Sequence, residues 1–238
     1  LFYSKGVNQL KIKPSEITLT HNDHETTVRV RQMVQVGASS YGALDLYISG
    51  IQLAGFTIDY TYHFYDDGTV KVHTHLSPQG RLPEMLPRIG FTPSVAKDFS
   101  RVTWYGRGPE ENYSDRKRSQ HIGYYKKQLT DYQTEYSHPQ DNSYRCDVRW
   151  MSTIASGNKL TVRGLQPLCI RAYNYADEQL EMGHRHPCDL ERDGLMHLNI
   201  DLNVHGVGGT DTWGKRTLPE YTNPGTDPYH YSFIIEVE

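Results

Sequence analysis

The sequence predicts an all-β protein, a large antiparallel β-sandwich, on three observations. Alternating apolar and polar residues, rich in β-branched and aromatic side chains, recur along the whole chain. Gly, Pro, Asn and Asp interrupt them at short spacing, which suits antiparallel connections. No amphipathic helical pattern is sustained for three turns, and only short segments such as DEQLEMGH at residues 177–184 have helical character.

Taken in order, strands are expected at EITLTHND (16–23), TTVRVRQMVQVG (26–37), LDLYISGIQL (44–53), the run from Phe56 to Pro78, KLTVRG (159–164), HLNIDLNVHG (197–206) and YHYSFIIEVE (229–238). Within the fourth, YTYHFY and TVKVHTHL flank Asp66-Asp67-Gly68, and Asp-Gly suits the positive φ of a tight hairpin turn. The stretch from Trp104 to Trp150 is different: polar, rich in Tyr and read as long loops, which in a compact domain carry function or bind neighbouring surfaces. Without linker composition, internal repeat or low-complexity tract, residues 1–238 read as a single β-sandwich domain.

Bulk chemistry narrows the function. A 37% hydrophobic content suffices for a core, and a formal net charge of −3, from 25 basic and 28 acidic residues, gives no electrostatic ground for nucleic acid or an anionic membrane as partner. No apolar run approaches the roughly 20 residues a membrane helix requires. The chain therefore reads as soluble, with a neutral ligand as the easier fit and the compartment, cytoplasm or periplasm, undecided. It opens without Met in strand-like sequence, so it is expected to be a piece of a longer polypeptide. Cys146, Cys169 and Cys188 form neither a disulfide framework nor a paired CxxC metal site and read as ordinary thiols.

Four features have chemical promise. In NVHGVGGTDTWGKR the strand alternation breaks at Gly206, Gly208 and Gly209 and then presents Trp213 between Asp211 and Lys215. An exposed indole can lie against the C–H face of a sugar, whereas a buried one plugs a strand end. In GHRHPCDLE, His184 and His186 share a face if the segment is extended, as metal ligands, a proton donor or structural histidines. No third ligand stands at a telling spacing, so a metal is not expected. His73 and His75 repeat that geometry with a weaker case.

In GRGPEENYSDR, Glu110, Glu111 and Asp115 lie beside Arg107 and Arg116. Glycoside hydrolysis needs two carboxyl groups roughly 5 to 9.5 Å apart, but adjacent glutamates on a loop more often pair with local arginines. The fourth feature, YSHPQDNSYRCDVRW, is turn-like before it alternates, and Asx turns with a Pro-restricted entry account for it.

Together WYGRGPEENYSDR, YSHPQDNSYRCDVRW and NIDLNVHGVGGTDTW, with PEMLPRIGF and GHRHPCDL, resemble the β-galactosidase small chain, the C-terminal domain of large glycoside hydrolase family 2 β-galactosidases. The resemblance covers essentially the whole chain. It implies a galactose-mutarotase-like β-supersandwich, the last of five domains in an enzyme that hydrolyses terminal β-galactosides with retention. The two catalytic glutamates of that family belong to a barrel domain absent from this chain, so no catalytic residue is expected here and the isolated fragment is expected to be inactive. Its partners would be the β-galactoside substrate and the other domains of the same polypeptide, above all the barrel.

The resemblance also gives the glycine loop a role. The tryptophan of the family's GGxDxW motif forms part of the active-site wall, and here that is Trp213, with Gly208, Gly209 and Asp211 shaping the loop. His184, His186, Arg107, Glu110, Glu111 and Asn112 are of second rank, architectural or interdomain. No cofactor is expected in this chain. The family's Mg²⁺ and Na⁺ ligands resemble barrel residues, so Mg or Na would be held by the full-length enzyme, whose assembly into a homo-oligomer is left open. An Arg-Ala-Pro-containing segment and a mobile loop that open this domain in the family are missing, so the first strands are expected to lie upstream of Leu1. Thr212 stands where serine is common. A free-standing mutarotase-like epimerase, with His184 or His186 as acid, and a non-catalytic carbohydrate-binding module are the alternative readings.

Overall fold

The computed structural model describes residues 10–36, 54–80, 82, 84–96, 100–155, 157–181, 186–209, 211 and 213–238. Its elements are almost entirely antiparallel strands, the all-β class expected from the alternation. The chain divides into two compact units, residues 1–86 with 223–233, and residues 87–222 with 234–238.

In the first unit, β1 (Leu10–Ile12) and β2 (Glu16–His21) both pair with β3 (Glu25–Val36). β3 pairs with β4 (Gly55–Tyr65), and β4 with β5 (Val70–Gln79). The turn between β4 and β5 forms at Asp66-Asp67-Gly68 as expected: Gly68 has φ 82° and the Asp67 carboxylate accepts the Thr69 N–H at 2.9 Å. Register puts Tyr60 and Tyr62 on one face of β4, their rings stacked with centroids 6.1 Å apart. β6 (Met85–Leu86) ends the unit's first segment. The strand expected at 44–53 lies outside the described residues.

The second unit holds β7 (Arg88–Phe91), β8 (Ser94–Ala96), β9 (Arg101–Gly108) and β10 (His121–Gln128), followed by a single helical turn α1 (Leu129–Tyr132). Next come β11 (Arg145–Ala155), β12 (Asn158–Tyr173), α2 (Glu178–Glu181) and β13 (Leu195–Val204). The strand sequence across this sheet is β10, β9, β11, β12, β13, with β7 and β8 on the far side of β13. β14 (Asn223–Pro224) pairs with β6 in the first unit, and β15 (Tyr229–Val237) has residues in both units.

The segment 104–150, expected as long loops, contains β9, β10 and the start of β11. The alternation is there but its outward side is largely polar: in HIGYYKKQ the alternate residues Ile122, Tyr124, Lys126 and Gln128 are exposed, and Gly123, Tyr125 and Lys127 between them are half-buried. Strands β9 and β11 also feed the core, where Val102, Trp104, Val148 and Met151 are buried. Near its start β11 is bulged, with register shifts on either side of Val148 and Asp147 at φ 54°. Cys146 and Cys169 are buried free thiols whose sulfurs touch across β11 and β12 at 2.9 Å, and Cys188 is an exposed free thiol.

Candidate functional site

The Trp213 loop leaves β13 at Val204 and is fixed at its base by backbone, hydroxyl and carboxylate contacts. Gly206 donates its N–H to the Tyr221 carbonyl at 2.8 Å, and its own carbonyl accepts the Thr217 hydroxyl at 3.1 Å. Asp115 then takes two successive amides, Val207 at 3.1 Å through Oδ1 and Gly208 at 2.7 Å through Oδ2. Such a carboxylate held by two N–H donors makes a charge-assisted clamp. There is no room for a side chain under it, because a Cβ on Gly206 would lie 2.7 Å from the Asp115 carboxylate carbon.

Beyond the clamp, Gly208 and Gly209 adopt φ of 71° and 85°, a left-handed region that glycine enters without penalty. The Asp211 Oδ1 accepts the N–H groups of Trp213 at 2.9 Å and Lys215 at 3.2 Å, an Asx turn that sets the tip. Trp213 itself is 93% exposed, the most exposed of the large apolar side chains among the described residues. Leaving an indole in water forgoes about 2–3 kcal/mol of burial. The loop is therefore organised around a side chain that the described core does not use.

The acidic cluster of the 106–116 segment is divided among separate tasks. Glu111 is nearly buried and accepts the Ser143 N–H at 2.8 Å, with Arg116 and Tyr136 on its other oxygen. Glu110 is exposed and pairs with Lys127 at 2.8 Å. Asp115 clamps the Trp213 loop. Asn112 is fully buried, donating to the Glu110 carbonyl at 3.0 Å and accepting the Cys146 N–H at 2.9 Å. Arg107 braces the bulge of β11 by donating from Nε to Asp147 at 2.8 Å, and its Nη1 reaches the Gln120 carbonyl at 2.8 Å. Each is occupied by the fold, so this segment supplies no convergent carboxylate pair.

Of the two histidines, His184 lies outside the described residues. His186 is exposed at the start of a 3-10 turn, Pro187–Asp189, where its N–H is bonded to the Asp189 carboxylate at 3.0 Å. His73 bonds Ser232 at 2.6 Å, and His75 meets the ring of His230. No grouping of three or more metal-ligating side chains occurs among the described residues.

Sequence reasoning missed a buried charged network in the second unit. Arg171 is 1% exposed, donates to Asp177 at 2.8 Å, lies 3.1 Å from Asp141 and stacks 3.8 Å from the ring centre of Tyr173. Arg88 links Asp177, at 3.4 Å, to Asp201, at 3.7 Å, and the Tyr144 hydroxyl donates to Asp201 at 2.8 Å. Complete burial pushes the Asp201 carboxyl up to about 7, while Arg88 and the Tyr144 hydroxyl hold it lower than burial alone would. No local signal marked it, because Asn199 and Asp201 fall in the same polar alternation as His197 and Asn203 in LMHLNIDLNV.

Fold and loop together define an antiparallel β domain that presents one solvent-facing indole on a braced glycine loop. The chain belongs to the beta galactosidase small chain family, matched over residues 3–235. It is 33% identical over 177 residues to a beta-galactosidase of Priestia megaterium, covering 74% of this chain and 17% of that protein. A beta-galactosidase of Vibrio cholerae is 32% identical over 179 residues, with 74% and 16% covered. The chain thus spans about a sixth of the length of these relatives. Among solved structures, the galactose 1-epimerase from Lactobacillus acidophilus NCFM overlaps at TM-score 0.48 and 7% identity, over 94% of this chain and 66% of that one. A GalM/aldose epimerase homologue from C. elegans overlaps at TM-score 0.46 and 11% identity, over 95% and 69%. Neither overlap bears on chemistry.

Proposed function

We propose that this chain is the C-terminal domain of a family 2 β-galactosidase that hydrolyses terminal β-D-galactosides with retention, and that Trp213 completes one wall of its active site. The acid/base and nucleophile glutamates reside on the barrel domain of the same polypeptide, and the isolated fragment is inactive. The observation that carries the reading is the 93% exposure of an indole on a loop clamped by Asp115 and Asp211. A flat apolar ring so held suits the C–H face of galactose or of the leaving group. Packing against the other domains is supported by β2, whose Ile17 and Leu19 are 66% and 65% exposed.

The test is Trp213→Ala in the full-length enzyme, assayed on an aryl β-galactoside and with competing acceptors. The expected result is a loss of about tenfold to a hundredfold in kcat/KM with altered acceptor preference. Wild-type rates in that variant would sink the role of Trp213. The isolated fragment is expected to show no turnover and no acceleration of galactose anomer interconversion; the latter activity would favour the epimerase reading instead.

A further inference from the structure

The outward face of the β10, β9, β11, β12 sheet has a depression of about 340 Å³, apart from the Trp213 loop in residues and in strands. Its shape follows from register. Lys126, Thr103, Ser152 and Thr161 lie in one cross-strand row, and three adjacent small hydroxyl residues leave a floor lower than its flanks. One neighbouring row brings Arg101 and Lys159, the other Tyr124, Trp150 and Arg163. The floor is Thr103, Ser152 and Thr161, at 7%, 4% and 4% exposure.

Charge and hydrogen bonding in this depression are unbalanced. Lys159 pairs with Glu238 at 3.1 Å and Arg163 with Glu236 at 3.5 Å, which uses the two carboxylates of the rim. Arg101 and Lys126 have no carboxylate partner among the described residues. Two buried polar atoms of the lining, the Arg101 Nε and the Thr161 Oγ1, also lack a hydrogen-bond partner there. Trp150 and Tyr124, rings 5.8 Å apart, form the apolar end. We infer that this depression is a second binding site, for a monosaccharide bearing a carboxylate or phosphate: Trp150 takes the ring face, the hydroxyl row and the Arg101 Nε take hydrogen bonds, and Arg101 with Lys126 holds the anionic group. The volume suits a single sugar ring with its substituent.

Calorimetric titration of the full-length protein with galacturonate and with galactose 6-phosphate tests it, galactose and inorganic phosphate serving as controls. Saturable binding of either anionic sugar is expected, weakened about tenfold or more by Lys126→Glu and by Arg101→Met, and kept by Lys126→Arg. Lys126 is exposed, so its replacement leaves the core intact. Binding retained in Trp213→Ala distinguishes this site from the proposed galactoside site. Absence of anionic-sugar binding, or binding indifferent to the Lys126 and Arg101 changes, overturns the inference. Inorganic phosphate bound as tightly as the sugar phosphate overturns its sugar component.

Discussion

The carboxylate of Asp115 accepts the backbone N–H of Gly208 at 2.7 Å, joining the connection between β9 and β10 to the loop that presents Trp213. If that clamp positions the indole, Asp115→Ala in the full-length enzyme lowers kcat/KM by about tenfold, with little change in melting temperature. In a Trp213→Ala background the same change costs nothing further, since the side chain it positions is gone. Equal losses in both backgrounds would show that Asp115 acts elsewhere.

Gly206 tests the same clamp by steric means. A Cβ there meets the Asp115 carboxylate carbon at 2.7 Å and the Thr217 Cγ2 at 2.9 Å, closer than unstrained contact permits. Gly206→Ala is expected to destabilise this domain by about 1–3 kcal/mol, read from urea unfolding, and to dislodge the loop. Gly209→Ala, which meets no atom within 4 Å but sits at φ 85°, is expected to cost only the backbone strain, about 1 kcal/mol.

Asp201 makes stability depend on pH with a definite sign. Its folded-state value, about 7, lies above the ordinary 3.8 of an unfolded aspartate. Between those limits the native state holds a proton that the unfolded state has released, so stability falls as pH rises. Above the upper limit both states are ionised and the slope from this residue disappears; below the lower limit both are protonated. Asp201→Asn remains neutral, so the difference in unfolding free energy between wild type and variant should shift steadily from acid pH to neutrality and then level. A difference independent of pH would refute the assignment.

Removing the guanidinium of Arg171 takes the adjacent cation from Asp141, leaves Asp177 to Arg88 at 3.4 Å, and removes the cation facing Tyr173. Arg171→Met is expected to cost about 3–5 kcal/mol in chemical denaturation. Arg171→Lys should recover only part of it, because an ammonium cannot both stack on Tyr173 and reach Asp177 and Tyr175. Full rescue by lysine would mean that charge alone matters here.

Periodicity carried far in this chain, and its reach has physical limits. Alternation located β3, β4, β5, β13 and β15, and Asp66-Asp67-Gly68 fixed the hairpin, because both signals are local. The strands of 104–150 were hidden because their outward residues are Lys, Arg, Thr and Tyr, which compose loops equally well. Trp213 stood out in its glycine setting. Asp115 did not, since pairing it with Val207 and Gly208 requires closure over 92 and 93 residues. The Arg171 network was invisible for the same reason: no local pattern tells a buried ion pair from a solvated one.

The fastening of the Trp213 loop to Asp115 has a consequence for descent. A chain that loses the carboxylate at 115 must find another acceptor for the amides of Val207 and Gly208, and one that gains a side chain at Gly206 must withdraw residue 115 to make room. Across a broad family alignment, positions 115, 206 and 208 should therefore change in concert. Substitutions at Glu110, whose ion-pair partner among the described residues is Lys127, should drift with position 127 and independently of that trio.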